Sequence, residues 1–230
     1  MSRRFSDRED AGRALAAALA DTGLADVDGA NTIVLGLPRG GVPVAAVVAE
    51  ALGAPLAVLV VRKIGVPSQP EVAMGAIASI AGSIVTVRND SVLRAAGPYA
   101  RRRFDEVAAR ERVELERRQE LYRAGLPPLD VAGRHVVLVD DGIATGATMR
   151  AAIMALAPAP AASSDAAGWA RPASVTVAVP VAPADTLADL RPLVDRVVCV
   201  STPEQFWAVG QAYVDFAQTT DAEVARLLTG

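Results

Sequence analysis

The stretch that decides the fold runs from Val136 to Thr148 and reads VVLVDDGIATGAT. Four apolar, β-favouring residues lead into two adjacent carboxylates, and a loop of small and hydroxyl-bearing residues then leads into a helical pattern. Carboxylates accept hydrogen bonds from hydroxyl groups, and a helix N-terminus attracts a phosphate dianion. The order of these parts therefore indicates a ligand that carries both hydroxyl groups and a phosphate, such as a sugar phosphate.

The loop residues fit the same ligand. Gly142 and Gly146 allow close approach of the backbone and positive φ, while Thr145 and Thr148 can cap the helix and donate to phosphate oxygens. A strand, a turn and a capped helix without a ligand is the alternative, and two adjacent carboxylates at a strand's end speak against it. The chain has neither a P-loop pattern nor a glycine-rich dinucleotide fingerprint.

Outward from this stretch, buried strands alternate with amphipathic helices, which predicts an α/β protein with a mostly parallel central sheet flanked by helices. The predicted strands are 32–36, 56–61, 136–139, 175–179 and 197–200, and the predicted helices are 7–21, 42–52, 90–122 and 146–156. A hairpin is predicted for 76–79 with 84–88, a mobile loop for 64–74 and an exposed loop for 157–172. Ligands of such sheets bind at the carboxyl ends of the strands.

Two further segments are expected at that edge. Residues 37–41 join the first strand to its helix, where two glycines would expose N–H groups and Arg39 would offer a fork of donors; an ordinary tight turn is the alternative. Residues 62–65 follow the second strand and contain Lys63. Because Lys63 is the only lysine among 23 basic residues, its position indicates a site that needs a compact ammonium, with chance survival as the alternative.

The stretch 136–148 closely resembles the phosphoribosyl-pyrophosphate (PRPP) signature of the type I phosphoribosyltransferases, and 30–150 resembles a bacterial branch of that family. The resemblance implies one phosphoribosyltransferase-like domain over 1–230, with a small hood built from terminal segments. It also implies an enzyme that transfers the ribose 5-phosphate of PRPP to a small nitrogenous base and releases pyrophosphate. A sensor of the same fold, which binds PRPP or a nucleotide without catalysis, is the alternative.

The resemblance also implies residue roles. Lys63, Asp140 and Asp141 would be catalytic, and Arg39, Gly40 and Lys63 would meet pyrophosphate. The ribose and the 5′-phosphate would be held by Asp140, Asp141, Gly142, Ala144, Thr145, Gly146, Ala147 and Thr148. The implied cofactor is Mg²⁺, bound mainly through PRPP oxygens, with Asp140 and Asp141 as candidate ligands. Glu71 is a loop acid for which a salt bridge and a catalytic role stay open.

The composition and net charge of the chain argue against some classes of function, above all duplex nucleic-acid binding and membrane insertion. A net charge of −3 gives no electrostatic footprint for duplex nucleic acid, and no membrane segment or signal peptide is expected, so a cytoplasmic protein is predicted. The single Cys199 is predicted to be a small buried hydrophobe, and the single His135 to have a structural or surface role. PRPP and a base are the expected partners, and a homodimer is a further expectation.

Residues 203–216 are rich in aromatic side chains although aromatics make up only 4% of the chain. Two interpretations stay open for them, core packing and a surface on which a base stacks. The identity of the acceptor base also stays open, because no purine-specific element is recognisable in the sequence.

Overall fold

The computed structural model describes residues 4–22, 29–66, 69–80, 83–123, 130–156, 163–164 and 171–229. The helices are α1 Arg8–Ala20, α2 Gly41–Leu52, α3 Asp90–Ala95, α4 Ala100–Arg123, α5 Ala147–Leu156, α6 Ala184–Leu190 and α7 Asp221–Thr229. The strands are β1 Thr32–Gly36, β2 Leu56–Val58, β3 Val61–Val66, β4 Gln69–Ile80, β5 Ser83–Arg88, β6 His135–Val139, β7 Ser163–Ser164, β8 Ser174–Val181 and β9 Arg196–Ser201.

The chain divides into two compact units. The first consists of Met1–Val58, Gly133–Gly146 and Pro172–Gly230, and the second of Leu59–Ala132 and Ala147–Arg171. Because the boundary falls between Gly146 and Ala147, the 136–148 stretch is shared between the two units. The prediction of a single domain with a terminal hood stays a prediction.

The first unit is built on a five-stranded parallel sheet in the order β2-β1-β6-β8-β9. Strand β1 is buried along its whole length, as expected of a parallel strand covered on both faces. Helix α1 packs against α2, β8 and β9, and α2 packs against β1 and β6. Leu15, Val34 and Val137 are fully buried in this aliphatic core.

The register of the sheet brings two strand ends together. Gly36 at the end of β1 lies beside Val139 at the end of β6. The Leu37 N–H continues the pairing by donating to the Val139 carbonyl at 2.9 Å. The turn after β1 and the acidic loop after β6 therefore leave the sheet at the same edge.

The second unit contains a four-stranded sheet in the order β3-β4-β5-β7, in which all pairs are antiparallel. Helices α4 and α5 both pack against this sheet. Phe104, Leu115 and Tyr122 of α4 are buried, and Ala108 of the same helix is half-buried.

The structure confirms the α/β class, the parallel sheet and most predicted elements, and it corrects three of them. The apolar run 56–61 is not one strand, because β2 ends at Val58 in the parallel sheet and β3 begins at Val61 in the antiparallel sheet. The loop predicted for 64–74 is wrong, since these residues lie largely in the β3–β4 hairpin. The helix predicted for 90–122 is interrupted between Ala95 and Ala100.

The cause of the interruption is local. Gly97 has φ +95, and Pro98 follows it; both residues oppose the continuation of a helix. Most of the exposed loop predicted for 157–172 lies outside the described residues, which there include the two-residue strand β7.

Candidate functional site

Asp140 and Asp141 follow β6 directly, at the edge of the parallel sheet. The Asp141 N–H donates to Asp140 Oδ1 at 2.9 Å, which orients the first carboxylate against the backbone of the second. The side chain of Asp141 is only 13% exposed. Asp140 and Asp141 are both half-buried.

The surroundings shift both carboxyl groups in the same direction. Burial raises the pKa of Asp140 well above its ordinary value, and the negative charge of Asp141 raises it further. Burial also raises the pKa of Asp141, whereas the neighbouring Arg8 guanidinium opposes this shift. Asp141 thus has its own counter-ion, while Asp140 lies mainly beside a like charge.

The glycine pair of the β1–α2 turn packs directly against these acids. A Cβ on Gly40 would overlap the Asp141 carboxylate, lying 2.6 Å from its Cγ. A Cβ on Gly41 would lie 2.7 Å from both the Asp140 Cα and the Val139 carbonyl oxygen. The Gly-Gly sequence is therefore required here for close approach of two loops.

The same turn corrects part of the prediction for 37–41. The Gly41 N–H donates to the Leu37 carbonyl at 3.0 Å, so it closes the turn instead of being exposed for a ligand. The side chain of Arg39 lies near α7, with Nη1 3.9 Å from Asp221 Oδ1, and both side chains are about one-third exposed. An exposed pair at this distance contributes little to stability.

Arg8, which was not identified from the sequence, contacts Asp141 directly. Its Nε and Nη2 donate to the same oxygen, Asp141 Oδ2, at 2.9 and 2.8 Å. Its Nη1 donates to the Ala217 carbonyl at 2.7 Å, and the guanidinium lies 4.2 Å above the centre of the Phe216 ring. The Arg8 side chain is also only 13% exposed.

Terminal segments of the chain meet behind the acids. Phe5 forms a parallel bridge with Tyr213, and the Phe5 N–H donates to the Ala212 carbonyl at 2.7 Å. The Tyr213 hydroxyl donates to the Asp141 carbonyl. Residues 4–8 and 212–217 are thus joined to each other and to the second acid.

The loop after the acids is fixed at two points. The Ile143 N–H donates to the Val181 carbonyl at 2.9 Å, and the Thr186 hydroxyl donates to the Ala144 carbonyl at 3.0 Å. Gly146 adopts φ +75, as predicted. Gly142 is not among the described glycines with positive φ. A Cβ at this position would lie 2.5 Å from Val209 Cγ1, so close packing, and not backbone conformation, requires a glycine here.

The first unit therefore holds most of the predicted site residues. These are Arg39, Gly40, Asp140, Asp141, Gly142, Ala144, Thr145 and Gly146. Ala144 and Thr145 are exposed, whereas Gly142 and Gly146 are buried. The structure brings together the acids and the glycine pair, and it adds Arg8 and Tyr213 to them.

Comparisons with known proteins assign the chain to a family. The family model of the phosphoribosyl transferase domain matches residues 5–217. The chain belongs to the phosphoribosyl transferase domain family. The match also includes the terminal segments that carry Arg8 and Tyr213.

Two relatives are similar over almost the whole chain. A protein named "Putative phosphoribosyl transferase", from two strains of Mycobacterium tuberculosis, CDC 1551 and H37Rv, is 47% identical over 224 residues. The alignment covers 97% of this chain and 46% of the relatives, so the chain spans about half the length of the curated relatives it matches. The crystal structure of TT1426 from Thermus thermophilus is similar with a TM-score of 0.77 and 41% identity, covering 98% of this chain and 97% of that one.

The remaining predicted residues of this phosphoribosyl transferase domain lie in the second unit. Lys63 follows the parallel strand β2 in the chain, but it lies inside the antiparallel strand β3 and not in a loop; it is half-buried and paired in register with Ala76. Its neighbour Arg62 donates from Nε to Glu111 Oε2 of α4 at 2.6 Å. Ala147 and Thr148 begin helix α5. The side chain of Glu71 lies outside the described residues, so its role stays open.

The aromatic segment 203–216 divides between the two predicted interpretations. Tyr213 is 1% exposed and belongs to a cluster with Phe5 and Val181, whereas Trp207 is 86% exposed. Gln211 fixes the loop that carries Trp207, accepting from the Trp207 N–H at 2.8 Å and donating to the Gln205 carbonyl at 2.7 Å. Core packing is therefore confirmed for Tyr213, and the partly buried Phe206 packs against the same cluster.

The single histidine and the single cysteine lie outside the acidic site. His135 Nδ1 is 2.8 Å from the Ser174 hydroxyl, which agrees with the predicted structural role. Cys199 is half-buried, less than predicted, and burial raises the pKa of its thiol.

Asp140 and Asp141 are also the residues that could hold a metal. Their carboxylate oxygens are the hard donors that Mg²⁺ prefers. In the described part of the chain, no three His, Cys, Asp or Glu side chains gather as a metal site. Nor does any described helix have the length and apolar character needed to cross a membrane.

Proposed function

We propose that the domain is a phosphoribosyltransferase that transfers the ribose 5-phosphate of PRPP to the nitrogen of a small base. The observation that carries the proposal is the half-buried Asp140–Asp141 pair at the carboxyl end of β6, with the Gly40–Gly41 turn packed against it. Carboxylates held in this way suit the vicinal hydroxyls of a ribose. The family of the chain and its 136–148 sequence support the same substrate.

In the proposed reaction a nitrogen lone pair of the base forms a bond to C1 of the ribose. The bond between C1 and the pyrophosphate oxygen breaks, and the leaving pyrophosphate takes that electron pair. The proton displaced from the base nitrogen passes to solvent. Placement of the reactants and stabilisation of charge do most of the work in such a transfer.

We propose for individual residues the roles that the resemblance to the family implies. Asp140 and Asp141 would accept hydrogen bonds from the ribose hydroxyls, and residues 144–148 would surround the 5′-phosphate at the start of α5. Arg39, Gly40 and Lys63 would meet pyrophosphate. Mg²⁺, held mainly by PRPP oxygens with Asp140 and Asp141 as candidate protein ligands, would supply charge neutralisation of the leaving group.

Lys63 separates an enzyme from a sensor experimentally. Pyrophosphate release is measured for wild type, Lys63→Ala and Lys63→Arg with PRPP, Mg²⁺ and a panel of purine and pyrimidine bases. An ammonium that meets charge growing in the transition state affects turnover more than binding. We expect Lys63→Ala to lower turnover by about ten- to a thousandfold, the scale of losing one such donor.

The control for Lys63 is its own conservative variant. Lys63→Arg keeps the charge but replaces a compact ammonium by a planar fork, so we expect it to recover only part of the rate. PRPP affinity is measured in parallel and should fall much less than turnover. PRPP binding without turnover in wild type would favour the sensor. A protein that binds no PRPP would refute the proposed enzyme and leave only a sensor of nucleotides.

A further inference from the structure

Arg8 is the first residue of α1. There the positive end of the helix dipole repels a guanidinium, whereas the nearby acids Glu9 and Asp10 attract it. Two of the local acids are used by the helix start itself, because the Asp7 side chain accepts from the Asp10 N–H and the Asp10 side chain accepts from the Ser6 N–H. The guanidinium contacts groups outside α1.

All of the contacts described for the Arg8 guanidinium are with groups of the protein itself. The contacts to Asp141 Oδ2, the Ala217 carbonyl and the Phe216 ring face use both terminal nitrogens, Nε and one face of the plane. The guanidinium is thus engaged without a ligand. Its effect on a ligand would pass through the carboxylate it contacts.

The geometry at Asp141 shows what that effect would be. Arg8 occupies Oδ2 with two donors, and the backbone of Gly40 packs against the same carboxylate. Both contacts therefore lie on the Oδ2 side of the carboxylate. Arg8 leaves Oδ1 to other donors, such as a ligand hydroxyl.

The segments on either side of Arg8 are packed and hydrogen-bonded. Helix α1 packs on α2, β8 and β9, and the preceding residues are bound to 212–215, where the Val214 N–H donates to the Phe5 carbonyl at 2.8 Å. Phe5 is fully buried. The position of the guanidinium is therefore supported by both segments.

We propose that Arg8 is a positioning residue that fixes the Asp141 carboxylate toward the ribose hydroxyls, so that the first turn of α1 belongs to the PRPP site. The inference rests on the proposed function, since it concerns the ribose half of the same ligand. The first turn of α1 then sets the selectivity of the site for a ribose over a 2-deoxyribose.

The test uses the full chain and calorimetric titration with four ligands. They are PRPP, ribose 5-phosphate, 2-deoxyribose 5-phosphate and inorganic pyrophosphate, each with Mg²⁺. The variants are Arg8→Gln, Arg8→Lys and, as a matched control on the same helix, Arg13→Gln, which removes only an exposed pair with Glu9.

We expect Arg8→Gln to weaken PRPP binding by about tenfold or more, the scale of a charge-assisted hydrogen bond. The preference for ribose 5-phosphate over its 2-deoxy analogue should shrink in parallel, while pyrophosphate affinity should stay within about twofold of wild type. Arg8→Lys, which can reach Asp141 but lacks the fork, should lie between Arg8→Gln and wild type. Arg13→Gln should behave as wild type.

The outcomes separate this inference from the function on which it rests. A wild type that binds no PRPP refutes the proposed function, and the role of Arg8 with it. If wild type binds PRPP and Arg8→Gln matches its affinity and its ribose preference, the inference alone is overturned. The inference is also overturned if Arg8→Gln folds and its affinity for pyrophosphate falls as much as its affinity for PRPP. Should Arg8→Gln not fold, Arg8→Lys decides, and an unchanged ribose preference in that variant counts against the proposal.

Discussion

Asp140 and Asp141 are identical side chains one position apart, yet their electrostatic surroundings differ. Arg8 lies 2.8 Å from Asp141 and partly offsets the cost of burying its charge. Burial and the negative charge of Asp141 disfavour the charged form of Asp140. A backbone N–H and the weaker influence of Arg8 favour it. Burying the charge of Asp140 lowers the stability of the folded state. Such a cost at a carboxylate is typical of a site that binds a ligand.

This difference predicts opposite effects of two matching substitutions on stability. Asp140→Asn should raise the free energy of unfolding at pH 8, because it removes a charge that the folded state disfavours. Asp141→Asn should lower it by about 1–3 kcal/mol, because Arg8 loses a charged partner. Both variants should bind PRPP about tenfold more weakly or worse, and urea unfolding with calorimetric titration measures the two effects.

The pH dependence of the Asp140→Asn effect has a defined sign. A carboxyl whose pKa is higher in the folded state takes up a proton on folding, so the free energy of unfolding falls as pH rises through that window. The advantage of Asp140→Asn over wild type should therefore be largest at high pH and shrink as the solution is acidified. An advantage that grows toward acid pH would contradict this account.

At the residue level, local sequence predicts the acids but not their counter-ion. Asp140 and Asp141 are recognisable because a strand, two carboxylates and a small-residue loop are consecutive in the chain. Arg8 pairs with Asp141 across 133 positions, and one arginine among many carries no local mark of such a contact. Tyr213 is distinguished in the sequence only as part of the aromatic segment 203–216.

At the level of elements, the β1–α2 turn connects the glycine pair to the acids. Its glycines were predicted as donors to a ligand, and the structure shows that they also allow the turn to approach Asp140 and Asp141. The Asp141 carboxylate cannot easily move away from a new side chain, because Arg8 holds it. A methyl group at Gly40 would therefore disturb the site by disrupting the packing of the β1–α2 turn against the loop that carries Asp140 and Asp141.

We expect Gly40→Ala to lower the free energy of unfolding by about 1–3 kcal/mol, the cost of overpacking, and to weaken PRPP binding strongly. The control is Gly53→Ala at the other end of α2. Gly53 has φ +59 and nothing within 4 Å of its would-be Cβ, so alanine there strains the backbone far from the acids. Gly53→Ala should lose about 1–2 kcal/mol and keep wild-type PRPP affinity. Denaturant unfolding and titration of both variants check this, and equal affinities in the two would refute the steric argument.

Element prediction worked where one pattern had one structural meaning. Continuous apolar runs such as that of β6 predicted parallel strands correctly. The run 56–61 failed because hydrophobicity does not show that a chain changes sheets in the middle of an apolar stretch. The β3–β4 hairpin was missed because its prolines and small residues resemble a loop. The end of α3 has a local signal in the sequence, Gly97 followed by Pro98.

For the molecule as a whole, the two units divide the predicted site. The acids and the β1–α2 turn belong to the first, whereas Lys63 and the start of α5 belong to the second. The sequence predicted one common sheet edge for all of them. Lys63 lies in an antiparallel strand of the second unit, so its place at that edge stays a prediction. The assignment of Lys63 to pyrophosphate therefore needs evidence that reports on each unit separately.

Hydrogen exchange provides this evidence, because a ligand that binds only the native state suppresses opening of the segments it contacts. At about 100 times its dissociation constant, such a ligand stabilises the native state by about 2.7 kcal/mol. With Mg²⁺ present, PRPP should protect 37–41 and 140–148, and it should protect β3 as well if Lys63 meets pyrophosphate. Ribose 5-phosphate should protect 140–148 without β3, whereas pyrophosphate should protect 37–41 and β3 without 140–142.

Protection of 140–148 by PRPP with unchanged exchange in β3 would remove Lys63 from the site and leave the ribose assignment standing. Unchanged exchange in all three segments, measured under conditions where titration shows binding, would place the ligand elsewhere on the protein.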